Sequence, residues 1–158
     1  MDHSVVIESK SDIRADSSVT TVIFTSKFVV DRDFPLLWKY YPRCRFINMR
    51  NAKVETDELC GLFAYMNDLE EVVLPANLGK VEAINNLFNR NYYLEKIYFP
   101  TMPNLVLVHN ICSFCHNLRL VTFESIPQGV ICVEPWYRCP KIHTNLRTEP
   151  IDSDRRDW

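Results

Sequence analysis

The stretch Leu62-Phe63-Ala64-Tyr65-Met66-Asn67-Asp68-Leu69-Glu70-Glu71-Val72-Val73-Leu74-Pro75 returns 25 residues later as Leu87-Phe88-Asn89-Arg90-Asn91-Tyr92-Tyr93-Leu94-Glu95-Lys96-Ile97-Tyr98-Phe99-Pro100. Both copies hold a leucine-aromatic pair, a second leucine, a β-like run and a closing proline. A unit this short cannot bury its own apolar face. Stacked copies can, so the repeat constrains the chain to a solenoid.

Other columns keep the same period. Val19-x-x-Val22-x-Phe24, Cys44-x-x-Ile47-x-Met49, Leu69-x-x-Val72-x-Leu74 and Leu94-x-x-Ile97-x-Phe99 align, and Leu118-x-x-Val121-x-Phe123 follows after a shortened turn. Each run predicts a short parallel strand, centred near Val22, Ile47, Val72, Ile97 and Val121. One aromatic per turn, Trp38, Phe63, Phe88, Phe114 and Trp136, is expected to form a buried ladder. Leu59, Leu62 and Phe63, like Ile84, Leu87 and Phe88, stand at i, i+3, i+4. That spacing predicts amphipathic helices over residues 34–41, 57–66, 82–91, 108–117 and 130–137. The expected fold class is therefore α/β: a solenoid of about five 25-residue repeats, with a short parallel β-sheet on one face and helices on the other. The expected organisation is a capping arm over residues 1–12, the solenoid over 13–147 and a flexible charged tail over 148–158.

The L-x-x-V-x-L strand, a connection, and a segment ending L-F-x-x-x-x-x-L resemble the BspA-like leucine-rich repeats, over about residues 13–146. Before the aromatic the chain has Leu37, Leu62, Leu87 or Ser113 where that family usually has a small residue, and only Cys139 keeps the family's cysteine three positions after it. The resemblance implies a curved right-handed coil, protein or glycan binding, and no shared catalytic residues.

Composition narrows the function classes. A net charge of −2 and a pI near 6.1 lack the basic excess of a nucleic-acid binder or a polybasic membrane-surface protein. Gly61, Gly79 and Gly129 stand too far apart for a phosphate-cradling loop. No basic segment followed by an apolar core opens the sequence, no apolar run is long enough for a membrane span, and no Asn-x-Ser/Thr acceptor occurs, so a cytoplasmic location is expected. Six cysteines fall below the density of a disulfide scaffold.

Cys112-Ser113-Phe114-Cys115-His116 matches the C-x-x-C-H pattern of haem attachment. Cys112, Cys115, Cys132 and Cys139, with His116 and His143, offer a possible zinc set, although the second cysteine pair lacks knuckle spacing. Packed thiols are the preferred reading of both, since Cys44 stands in the column of Leu69 and Leu94. No nucleophile-base set stands out near His3, His109, His116 or His143. No enzyme activity, cofactor or metal is expected.

The outward positions of the strands are the favoured surface. They form the columns Thr20, Arg45, Glu70, Glu95, Arg119; Thr21, Phe46, Glu71, Lys96, Leu120; and Ile23, Asn48, Val73, Tyr98, Thr122. Apolar and aromatic side chains ringed by charges suit protein binding, and the candidate residues are Arg45, Phe46, Glu70, Glu71, Val73, Glu95, Lys96 and Tyr98. β-Propensity on a solvated sheet explains Phe46, Val73 and Tyr98 equally well. A second row at the corner, Tyr40, Tyr65, Arg90, His116 and Arg138, is read as rings packed over the turn with their polar ends in water. The expected function is a monomeric, non-enzymatic recognition module for a protein partner, with no nucleic acid and no membrane. The alternative is a structural solenoid that self-associates through its ends or its Tyr-rich rim.

Overall fold

Stacked coils of nearly equal length let each backbone N–H and C=O find a partner in the next coil, which is how so short a repeat satisfies its peptide groups. The computed structural model describes residues 3–146 and holds sixteen strands among them. In chain order these are β1 (Ser4–Ile7), β2 (Thr21–Phe24), β3 (Val29–Val30), β4 (Phe46–Asn48), β5 (Lys53–Val54), β6 (Glu58–Cys60), β7 (Glu71–Val73) and β8 (Ala83–Asn85). They continue as β9 (Phe88–Asn89), β10 (Lys96–Phe99), β11 (Leu107–His109), β12 (Cys112–Ser113), β13 (Leu120–Phe123), β14 (Ile131–Val133), β15 (Trp136–Tyr137) and β16 (His143–Thr144).

The L-x-x-V-x-L runs supply the main sheet, which has seven strands in the order β1-β2-β4-β7-β10-β13-β16, and every pairing in it is parallel. Val22, Ile47, Val72, Ile97 and Val121 are in register and buried, as the sequence columns require. The ladder continues one residue before the strands, where the N–H groups of Arg45, Glu70, Glu95 and Arg119 donate to the carbonyls of Thr20, Arg45, Glu70 and Glu95 at 2.8–3.1 Å. Val5-Val6-Ile7, out of the repeat frame, forms the edge rung: Ser4 pairs with Thr21 and Ile7 with Phe24.

The expected helices are not there. Among the described residues only Leu37–Tyr40, α1, is α-helical, and the remaining coils are β-solenoid turns without a helical side. Residues 57–66, 82–91, 108–117 and 130–137 instead build a second sheet, β14-β11-β8-β6, and a third, β15-β12-β9. The cause is a bend between the two sheets. Gly61, Asn86, Asn110 and Glu134 have φ of 60°, 47°, 58° and 42°, and four residues later Tyr65, Arg90, Phe114 and Arg138 have φ of 66°, 59°, 56° and 56°. Left-handed residues break a right-handed helix. A bend also resets the in-out alternation of a strand. Ile84, Leu87 and Phe88 therefore all face inward at i, i+3, i+4, and the segment imitates an amphipathic helix.

The aromatic ladder also needs correction. Phe63 and Phe88 are fully buried and stack at 5.1 Å, but Phe88 pairs with Cys112 and Cys112 with Trp136. Phe114 stands at the corner in the row of Arg90 and is half-buried, and Trp38 is 38% exposed while Leu37 and Tyr41 fill the core beside it. The shift arises in one loop: Val72 to Ile84 spans twelve residues and Ile97 to Val108 eleven. Every inner column after that loop moves forward by one. The charged tail expected over residues 148–158 lies outside the described residues.

Candidate functional site

Parallel register turns the outward side chains of the main sheet into straight rows. One row carries Ser4, Thr21, Phe46, Glu71, Lys96, Leu120 and His143, and the next carries Val6, Ile23, Asn48, Val73, Tyr98 and Thr122. The structure thus places Phe46, Glu71 and Lys96 side by side, with Val73 beside Tyr98 one row over. Phe46 and Tyr98 are 36% and 38% exposed, and Val73 is half-buried between Asn48 and Tyr98. Four of the apolar positions, Val6, Ile23, Val73 and Tyr98, share one row, and Phe46 and Leu120 stand in the other, so the apolar face steps between two neighbouring rows.

Three of the charged candidates, Arg45, Glu70 and Glu95, lie in the row just before the strands, and each has a partner of opposite charge there. The Arg45 guanidinium pairs with the Glu70 carboxylate and also lies over the Phe46 ring at 5.4 Å. Arg119 reaches Glu95 at 3.8 Å. Partly exposed pairs of this kind contribute at most about 1 kcal/mol each, so they orient the rim more than they stabilise the fold. Val6, 54% exposed on the edge rung, extends the face beyond the residues that the repeat singles out. It stands outside the repeat frame, so no periodic signal finds it. Val106, Leu107, Ile131 and Val133 form a second exposed apolar area, on the outward side of β11 and β14.

The corner row differs by one residue from the column read in the sequence. Phe114, not His116, continues the row of Tyr65, Arg90 and Arg138. The Arg90 guanidinium lies 4.9 Å over the Phe114 ring, and Arg138 lies 5.7 Å from the Tyr137 ring. Trp38 meets Tyr65 edge-on at 6.4 Å, and Tyr92 tilts against His116 at 5.5 Å. Trp38, Tyr65, Asn67, Arg90 and Tyr92 line a shallow depression of about 460 Å³.

Cys115 is in thiol contact with both Cys112 and Cys139, while Cys132 stays outside that cluster. Cys112 and Cys115 are buried, Cys139 adjoins Cys115 one coil on, and Cys132 stands apart in the inner column of the second sheet, paired with Val108. His116 lies on the outer corner and His143 on the strand face. Among the described residues, no three His, Cys, Asp or Glu side chains are grouped so as to hold a metal ion. Thiol contact with Cys112, together with burial, raises the Cys115 pKa against an opposing contact from Cys139, contact with Cys115 raises that of Cys139, and burial pushes Cys44 up to about 12. These are weak nucleophiles, since the thiolate is the reactive form. No helix among the described residues is long and apolar enough to cross a membrane.

Comparison of the chain with protein-family models, with curated proteins and with solved structures returns no match in any of the three.

Proposed function

We propose that this solenoid is a non-enzymatic recognition module whose strand face binds a protein partner. The observation that carries the reading is the run of apolar side chains Val6, Ile23, Phe46, Val73, Tyr98 and Leu120 over two neighbouring rows, set on a sheet whose central strands are paired on both sides. With the central backbone groups engaged, side chains are what that face offers a partner. Aromatic anchors within a rim of paired charges are a common composition for such a contact. The same reading makes the chain a relative of the BspA-like leucine-rich repeats, supported by the coil length and the L-x-x-V-x-L register though not by a helical side.

The test is capture from cells that make the protein, with the wild-type chain and a Tyr98→Ala chain as paired baits. The Tyr98 ring points away from the core, so the variant keeps its fold while a hot-spot contact loses about 2 kcal/mol or more. A partner held by both baits with equal affinity removes the strand face from consideration. A second reading, self-association, has its own observation. Among the described residues the last coil presents β14, β15 and β16 as edge strands, with Val130, Cys132, Trp136, Cys139 and Ile142 only partly buried at that end of the core. Light scattering over a concentration series separates the two: a mass that rises with concentration supports the end-on reading.

A further inference from the structure

From Gly61 onward the coils turn two corners through the left-handed region, and the two differ in residue type. One uses Gly61, Asn86 and Asn110, which accept that conformation readily, and then Glu134. The other uses Tyr65, Arg90, Phe114 and Arg138, for which it costs roughly 1–2 kcal/mol per residue. Large aromatic and cationic side chains thus stand where the backbone alone would favour glycine or asparagine, which points to a use for the side chains themselves.

The corner is also basic in an acidic chain. Its loops, 38–43, 65–68, 90–93, 114–117 and 138–142, contain Lys39, Arg43, Arg90, Arg138 and Lys141 against Asp68 alone, while the whole chain has a net charge of −2. The cations come on alternate coils: Lys39 and Arg43, then Arg90, then Arg138 and Lys141. The intervening coils present Tyr65 with Asn67 and Phe114 with His116. The coils are locked in step, since the N–H groups of Tyr65, Arg90 and Phe114 donate to the carbonyls of Asn89, Ser113 and Tyr137 at 2.8–3.0 Å.

We propose that this corner binds an acidic protein segment in the polyproline II conformation, with a carboxylate at every third residue. Alternate coils are about 10 Å apart. Polyproline II repeats its face every three residues, about 9 Å, so successive carboxylates on one face match successive cations. An extended β-strand repeats its face every ~6.7 Å and falls out of step. The depression between Trp38, Tyr65 and Tyr92 supplies the aromatic-walled surface on which proline rings pack. This site is on a different surface from the strand face and stands without it.

The experiment titrates the full chain into a fluorescent peptide of about five Glu-Pro-Pro units and follows anisotropy. A Lys-Pro-Pro peptide, a Glu-Gly-Ser peptide of the same length and charge, and a thymidine oligonucleotide run alongside. Saturable, salt-sensitive binding of Glu-Pro-Pro is expected, with the other three weaker by roughly tenfold or more. Arg90→Gly with Arg138→Gly removes two cations while glycine keeps the left-handed corners, so folding is preserved, and the affinity should fall by at least roughly tenfold for the loss of two charge-assisted contacts. Trp38→Ala should weaken binding by a comparable factor through loss of the ring surface. Absence of Glu-Pro-Pro binding overturns the proposal. Equal binding of Glu-Gly-Ser reduces the site to charge alone and also overturns it, and tighter binding of the oligonucleotide assigns the corner to single-stranded nucleic acid instead.

Discussion

Asn91 is fully buried in a column otherwise made of Met66, Cys115 and Cys139, and its amide donates to the Phe63 and Met66 carbonyls at 2.7 and 3.1 Å. Those carbonyls lie where the chain turns out of the third sheet, so one side chain closes the turn of the preceding coil. Asn91→Ala strands two buried acceptors and should destabilise by about 2–3 kcal/mol, read from chemical denaturation. Phe88→Ala, beneath the Phe63 ring, should cost about 3–5 kcal/mol through the cavity it leaves. Cys44 gives a pH prediction. Burial raises its folded pKa from 9.0 to about 12, so between those values the unfolded chain has lost the proton that the folded chain keeps. Stability must therefore fall as pH rises through that window, and its slope should be shallower in Cys44→Val, with little difference between the two proteins below pH 9.

At the scale of the element, the bends decide between strand and helix. Residues 82–91 have the apolar spacing of a helix but are too few for a helix to be stable on that spacing alone. A strand-bend-strand path gives Ile84 and Phe88 the same burial and pairs their backbones with the neighbouring coils. Glycine and larger residues at the bends should respond in opposite ways. Gly61 has φ of 60° and no atom within 4 Å of an added Cβ, so Gly61→Ala should cost about 1–2 kcal/mol from backbone strain alone. Arg90→Gly relieves the same strain and should be neutral to mildly stabilising in thermal melts, although it removes the guanidinium from Phe114. A destabilised Arg90→Gly would mean that the cation–π contact outweighs the bend.

For the whole molecule, stability accumulates coil by coil, because each coil touches only its neighbours. The first end of the core is covered: Ile7, Ile13, Val19, Phe24 and Phe28 are all buried behind β1 and the 3₁₀ turn Lys10–Asp12. At the other end, Val130, Cys132, Trp136, Cys139 and Ile142 are covered on one side only among the described residues. Opening should therefore begin at the last coil. Hydrogen exchange should show β14–β16 exchanging well before β7 and β10, with protection rising toward the middle. Equal protection of the last coil and the central ones would indicate that a second copy or another segment caps it.

The repeat frame was legible in the sequence because it rests on side-chain period. Leu69, Val72 and Leu74 recur as Leu94, Ile97 and Phe99, and only stacked parallel strands bury all of them, so the main sheet, its register and the outward rows of Phe46, Val73 and Tyr98 follow from residue spacing. The path between those strands did not follow. Apolar residues at i and i+4 fit a helical turn and a bent strand equally well, and the choice depends on whether neighbouring coils can accept the backbone hydrogen bonds. Tertiary stacking answers that, and it alone puts Phe114 in place of His116 in the row of Tyr65, Arg90 and Arg138 and recruits Val6, which no period marks, to the strand face. Side-chain pattern specifies which residues must be inside. Which turn brings them there is settled only when the coils lie against one another.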